Sequence, residues 1–312
     1  MPLTKSDIPN MLLAGIRDLF FDTYRSAVNE QDWAPLVMVI DSNKELETYA
    51  WLGSIPKMRE WLGERVINSL TESKYTLTNK TWESTLGVDR TAIEDDQYGQ
   101  IRIRVQSLAV EAARHTGELI FSIIAGGNAA TYGLCYDGQY FFDTDHVNQG
   151  AEYQTSQSNK GTTALSAAAL KTAITAMQKF KDDRGRPMGV NPTHMVVPPD
   201  LEWTARETLE SQIDPDAPAA TYASPTKINT LKGRLQLIVT PYLTDVSNWY
   251  LFDCSIPIKP LVLQKRVAPE VESLESNSES GFMRDQYLYG VRERKAVGYG
   301  LWQLAYGSIV AD

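Results

Sequence analysis

EDDQYGQIRIRVQSLAVEAARHTGELIFSIIAGG, residues Glu94 to Gly127, is the stretch from which the rest of this chain is placed. Within it Tyr98, Ile101, Val105, Leu108, Ala112, Leu119 and Ile123 recur three or four apart, with one weak step near His115. That is the spacing of a single apolar face on an α-helix. Glu94, Asp95 and Asp96 put negative charge where the N-terminal dipole favours it, and Gly126-Gly127 supplies a stop. A helix from Gln97 to Ala125 spans roughly 43 Å. It has no sustained heptads, and its arginines exclude a bilayer span. A long helix with one apolar seam is a strut.

The chain has 312 residues, enough for two domains or one large elaborated one. Its 43% hydrophobic and 22% charged content is that of a globular protein with ample core. A net charge of -9 disfavours nucleic-acid binding by the surface as a whole. Cys135 and Cys254 are the only cysteines, too few for a disulfide scaffold or a zinc site, which points to a reducing compartment. The N-terminal MPLTKSDIPNM lacks a basic region followed by an apolar run, so no secretory signal is expected there. No apolar run is long enough to span a bilayer.

Before the strut, Ile8, Leu12, Ile16, Leu19, Phe20 and Tyr24 predict an amphipathic helix, broken by Ala34-Pro35 and followed by an extended Leu36–Ile40. This segment is an arm that must pack on something else. In residues 46–93, Pro56–Gly63 suits a helical turn or two, and the rest favours strands, with turns at Glu72-Ser73 and Asn79-Lys80. Trp51, Trp61 and Trp82 fall here, nearly half of the seven tryptophans. Either they fill a local core, or an extended hairpin buries some of them against another subunit.

After the strut, Asp137-Gly138 predicts a hairpin between Tyr132–Tyr136 and Gln139–Phe142. Thr162-Thr163 caps a predicted helix running to Lys181, His194–Val197 is a strand, and Asp200 caps a helix carrying Leu201, Ala205 and Leu209. Together these predict an α/β unit over about 150–255. Asp214–Pro225 reads as a loop, while Leu235–Thr240, Trp249–Phe252 and Leu261–Val267 read as strands. Glu270–Gly281 is acidic and serine-rich, a solvated segment. The end of the chain interleaves glycines with aromatics in β-rich runs, as in a sheet closely approached by other backbone.

Catalytic signals are weak. Asp143, Asp145 and His146 in FFDTDH put two carboxylates and an imidazole within four residues. They lack a further ligand at matching spacing, so a turn role is preferred and a metal-dependent hydrolase is the alternative. There is no Gly-x-Ser-x-Gly, no phosphate loop, and no setting that would activate either cysteine. Lys179, Lys181, Arg184 and Arg186 are diluted by Asp182 and Asp183, as at a solvated helix end. No catalytic residue, cofactor or metal is assigned.

Six segments in order resemble the major head subunit of Mu-like bacteriophages: WLGSIPKMREWLGER, KTWESTLGVDR, EDDQYG, CYDGQYFFDTDH, THMVVPPDLEWTA and YGVRERKAVGYGLWQLAYG. The resemblance runs from about residue 46 to the end. It implies an α+β protein with the Hong Kong 97-like phage capsid fold: an N-terminal arm (1–47), an E-loop hairpin (48–93), a P-domain with a long spine helix (94–149), an A-domain (150–255) and return strands to the P-domain (256–312). The implied function is a non-enzymatic shell subunit of the virion, assembled in the host bacterial cytoplasm as pentamers and hexamers around double-stranded DNA. The stretch before the hairpin leaves no room for a large scaffolding domain, so a separate scaffolding protein is an implied partner. A prohead protease, a portal protein and decoration proteins are the others, with no membrane. Trp51, Trp61, Lys74, Tyr75, Leu77 and Trp82 are the expected inter-subunit contacts, and the seven seam residues from Tyr98 to Ile123 pack the spine helix.

Overall fold

The computed structural model describes residues 8–29, 32–49, 75–89, 98–147, 153–216, 227–274 and 286–310. Trp51, Trp61, Lys74, the turns at Pro56–Gly63 and Glu72-Ser73, and the side chains of Tyr98 and Ile101 lie outside the described residues.

The amphipathic segment forms helix α1, Ile8–Asn29, and the strut forms α2, Tyr98–Ala125. The two pack together, burying Ile16 and Phe20 of α1 and Val105 and Ala109 of α2. Val88, Tyr289 and Val291 close that core from a sheet on the other side. Further along α2, Ile120, Phe121, Ile123 and Ile124 belong to a second, larger core. One helix thus links two cores, as a strut should. Its buried line is rotated slightly from the expected one. Ala109, Ala113 and Thr116 are buried, while Leu108, Ala112 and Leu119 are only half-buried. At Ala125 the helix ends because neighbours come close: a Cβ on Gly126 would stand 2.6 Å from the Tyr132 ring, and one on Gly127 2.8 Å from Phe142. Neither glycine is among those with positive φ, so close approach accounts for them rather than a left-handed cap.

The described residues form three sheets, and strands Lys80–Asp89 and Gln286–Tyr299 of one of them pack on the strut. Strands β1 (Val37–Asp41), β2 (Leu46–Tyr49), β3 (Tyr75–Thr78) and β4 (Lys80–Asp89) come before it. Strands β5 (Lys160–Gly161), β6 (His194–Val197), β7 (Gln236–Val239), β8 (Trp249–Phe252), β9 (Leu261–Leu274), β10 (Gln286–Tyr299) and β11 (Ala305–Ser308) follow. One sheet has the order β1-β9-β10-β4, another β5-β11-β8-β6-β7, and β2-β3 form a two-stranded ribbon. The long antiparallel β9–β10 pair contributes Leu261, Val262, Leu263 and Tyr299 to the larger core and Tyr289 and Val291 to the smaller one. Its register shifts where Ala268 and Pro269 intervene between Val267, opposite Arg294, and Glu270, opposite Arg292. A proline is tolerated in a strand at such a bulge.

Several expectations need correcting. Asn79 is not a turn: β3 pairs with β2 and β4 pairs with β10, so the chain changes sheets there while staying extended. Tyr132–Tyr136 and Gln139–Phe142 are not strands. The Asp137-Gly138 turn exists, but Phe141 and Phe142 are both fully buried, which the alternating pleat of a half-exposed strand does not allow. The helix after Thr162-Thr163 is α3, Ala167–Gln178, capped by Ser166, whose Oγ accepts from the Ala169 N–H. The helix after Asp200 is α4, Glu202–Glu210, and Asp200 instead sits in a short 3-10 turn before it. Strand β9 runs on through Glu270–Leu274, because β10 pairs with it there and satisfies its backbone. The last strand among the described residues, β11, joins β8 in the five-stranded sheet.

Candidate assembly site at the base of residues 50–74

Strands β2 and β3 are antiparallel, with Tyr49 opposite Tyr75. The chain therefore leaves the ribbon at Tyr49 and re-enters it at Tyr75 at adjacent points. The ribbon rests on β9 and β10 through polar contacts. Tyr49 Oη donates to Gln264 Oε1 at 2.6 Å, and Gln264 Nε2 donates to the Leu77 carbonyl at 3.3 Å. The Tyr299 N–H donates to Tyr75 Oη at 2.9 Å. Burial pushes both phenols up, Tyr49 to about 12 and Tyr75 further. At the sheet change Asn79 is bolted to the turn before β2: its N–H donates to the Glu45 carbonyl, and its Nδ2 to Ser42 Oγ and the Lys44 carbonyl.

Of the expected inter-subunit residues, Tyr75 and Leu77 therefore pack on their own subunit, as does Trp82. The Trp82 ring meets His115 edge-on at 4.5 Å, and its Nε1 donates to the Lys295 carbonyl. Behind it lies a buried charged cluster that no local sequence pattern announced. Glu293 Oε1 is 3.1 Å from His115 Nδ1 and is paired with Lys295, whose Nζ donates to Thr116 Oγ1 at 2.6 Å. Burial opposes ionisation of Glu293, but the hydrogen bond from His115 and the Lys295 charge outweigh it and hold the carboxyl below its usual range. Burial also pulls the Lys295 ammonium down, against the attraction of Glu293. The cluster ties α2 to β10 at the bulge.

The FFDTDH segment is structural. His146 is fully enclosed: Nδ1 lies 2.7 Å from Asp137 Oδ2, Nε2 lies 3.1 Å from Asn159 Oδ1, and the ring stacks on Trp302 at 4.1 Å. Both ring nitrogens are occupied, so neither is open to a metal. Asp143 accepts from the N–H groups of Tyr140 and Thr144, and Asp145 is exposed. Among the described residues no group of three or more His, Cys, Asp or Glu side chains is arranged to hold a metal ion. Cys135 and Cys254 are buried, and burial raises both thiols, the opposite of an activated nucleophile. No helix among the described residues is long and apolar enough to cross a membrane.

The family model described as Mu-like prophage major head subunit gpT matches residues 10–164, 160–243 and 244–310. The chain belongs to that family. This gpT-family subunit is 28% identical over 310 residues to the Mu-like prophage FluMu major head subunit of Haemophilus influenzae, covering 98% of this chain and 75% of that one. It is also 28% identical to the major capsid protein of Escherichia phage Mu, covering 86% of this chain and 64% of the phage Mu protein, under two thirds of its length. Among solved structures it resembles the procapsid of bacteriophage JBD30, with 30% identity, a TM-score of 0.58, and coverage of 99% of this chain and 77% of that one. The α+β architecture is thus the Hong Kong 97-like capsid fold. The gpT-family subunit is a structural component of an icosahedral phage head, built in the host cytoplasm and resident in the virion, and the hydrolase alternative falls with the geometry of His146.

Proposed function

We propose that this head subunit closes its shell by surface exchange. In this reading residues 50–74 are the projecting part of the intersubunit E-loop (48–93) and bury apolar surface on a neighbour within pentamers and hexamers. The observation that carries it is the antiparallel β2–β3 ribbon, with Trp51 and Trp61 in the segment between its ends. Two arms of about 12 residues would reach at most roughly 40 Å if fully extended, and less if Pro56–Gly63 makes a helical turn. Tryptophan is the side chain that most often anchors an interface, and a hairpin standing away from its own core has no other place to bury two of them. The same reading divides the chain into an arm (1–47), the E-loop (48–93), a P-domain built on α2 (94–149), an A-domain (150–255) joined by β11, and return strands. It also takes a separate scaffolding protein, a prohead protease, a portal protein, decoration proteins and packaged double-stranded DNA as partners.

The register provides the test. Because Tyr49 and Tyr75 are directly opposite, an Asn-Gly turn replacing residues 50–74 closes the ribbon as a two-residue hairpin. The shortened protein is expected to melt cooperatively like wild type by circular dichroism, since both described cores are untouched. By sedimentation and electron microscopy it should remain as small oligomers. Closed shells of normal size from the shortened protein would overturn the reading.

A further inference from the structure

Gln264 is fully buried near the start of β9, after Leu261, Val262 and Leu263, where an apolar side chain would pack at no polar cost. Its amide is spent on the ribbon: Oε1 receives the Tyr49 hydroxyl and Nε2 reaches the Leu77 carbonyl. A buried amide so bonded contributes little net stability but holds orientation, because any slide of the ribbon strands polar groups away from water. Gly298 makes the second point of contact. A Cβ there would lie 2.6 Å from Tyr75 Oη and 3.1 Å from both Leu77 methyls, so the ribbon rests directly on bare backbone. The third is Asn79, which fixes β3 to the turn of residues 42–45.

We propose that these contacts form a seat that sets the direction in which residues 50–74 leave the subunit, making Gln264, Tyr75 and Gly298 positioning residues for shell assembly. This rests on the reading of residues 50–74 as an intersubunit hairpin. The lever is long: tilting a hairpin of at most roughly 40 Å by about 5° moves its tip by up to about 3.5 Å. That is enough to break van der Waals contact with a neighbour. The seat therefore governs where the hairpin lands, and through that the angle between subunits.

Gly298→Ala is the test, with Gly290→Ala on the same strand as control, because a Cβ at Gly290 meets only Thr85 Oγ1 at 3.5 Å. Gly298→Ala should still fold and melt cooperatively, a few degrees below the control because the added methyl is overpacked, while the yield of closed shells of wild-type diameter falls about ten-fold. Tyr75→Phe alone deletes the acceptor of the Tyr299 N–H and should lower the yield of wild-type shells in the same direction. Wild-type shells from Gly298→Ala would overturn the proposal, as would wild-type shells from Tyr75→Phe. Should Gly298→Ala not fold, Tyr49→Phe, which deletes one hydrogen bond to Gln264, decides: shells of altered or mixed diameter support the seat, and uniform wild-type shells refute it. The Asn-Gly replacement of residues 50–74 is run alongside. If that protein closes normal shells, the hairpin reading and the seat fall together; if only the seat variants do, the hairpin reading stands and the seat fails.

Discussion

Val105→Asp should yield no folded subunit. Val105 is 2% exposed, in the core formed by α2, α1 and the β4–β10 face, among Ile16, Phe20, Ala109 and Val291. A carboxylate placed there loses its hydration with no cation among those core neighbours, at a cost of several kcal/mol. That is comparable with the whole stability of a typical domain, about 5–15 kcal/mol. The expected result is insoluble protein, or soluble protein without a cooperative melt. Leu108→Asp should cost less, because Leu108 is half-buried and its carboxylate can turn to water. Equal and small effects of the two would mean that this face of α2 carries no core.

The contrast between these two residues shows what was legible in the sequence. The period of α2 and its length could be read from large apolar residues. Its buried line could not be placed to within one residue, because the closest packing runs over small ones. Ala109 and Ala113 are fully buried, and a Cβ on Gly117 would stand 3.2 Å from the Trp33 ring. Small side chains carry little hydropathy but let neighbours approach. The polar centres were less legible still. FFDTDH announced its carboxylates and its histidine, but the partners that decide its role are Asp137, Asn159 and Trp302, brought in by the fold. Gln264 meets Tyr49 across 215 residues of sequence, a pairing with no local pattern to reveal it.

Lys295→Met should destabilise the subunit by about 3–5 kcal/mol, the usual cost of leaving one member of a buried ion pair without its partner. Glu293 would then rely on His115 alone. A Lys295→Met, Glu293→Leu double variant should recover much of the loss, since an apolar pair of similar volume avoids desolvating any charge. Urea melts of the two singles and the double check this as a mutant cycle. The pH dependence has a definite sign. Glu293 is held below its ordinary value of 4.5, so its contribution is fully present above that pH. As pH falls below it, the unfolded chain takes up a proton that the folded chain resists, and stability is lost through the folded value. Removing the Lys295 charge raises the Glu293 carboxyl and narrows that window, so the penalty of Lys295→Met should shrink in acid. A penalty that does not change between neutral and acid pH would mean that the pair is not ionised in the folded subunit.

In the proposed assembly this head subunit joins its neighbours through residues 50–74, which connect the paired Tyr49 and Tyr75. Electron cryo-microscopy of shells formed by the wild-type protein tests it most directly, at a resolution that lets residues 50–74 be traced. The expected result is continuous density from the β2–β3 ribbon of one subunit onto an adjacent subunit, with Trp51 or Trp61 buried between the two. Density that folds back onto the subunit of origin, with both indoles buried there, would contradict it.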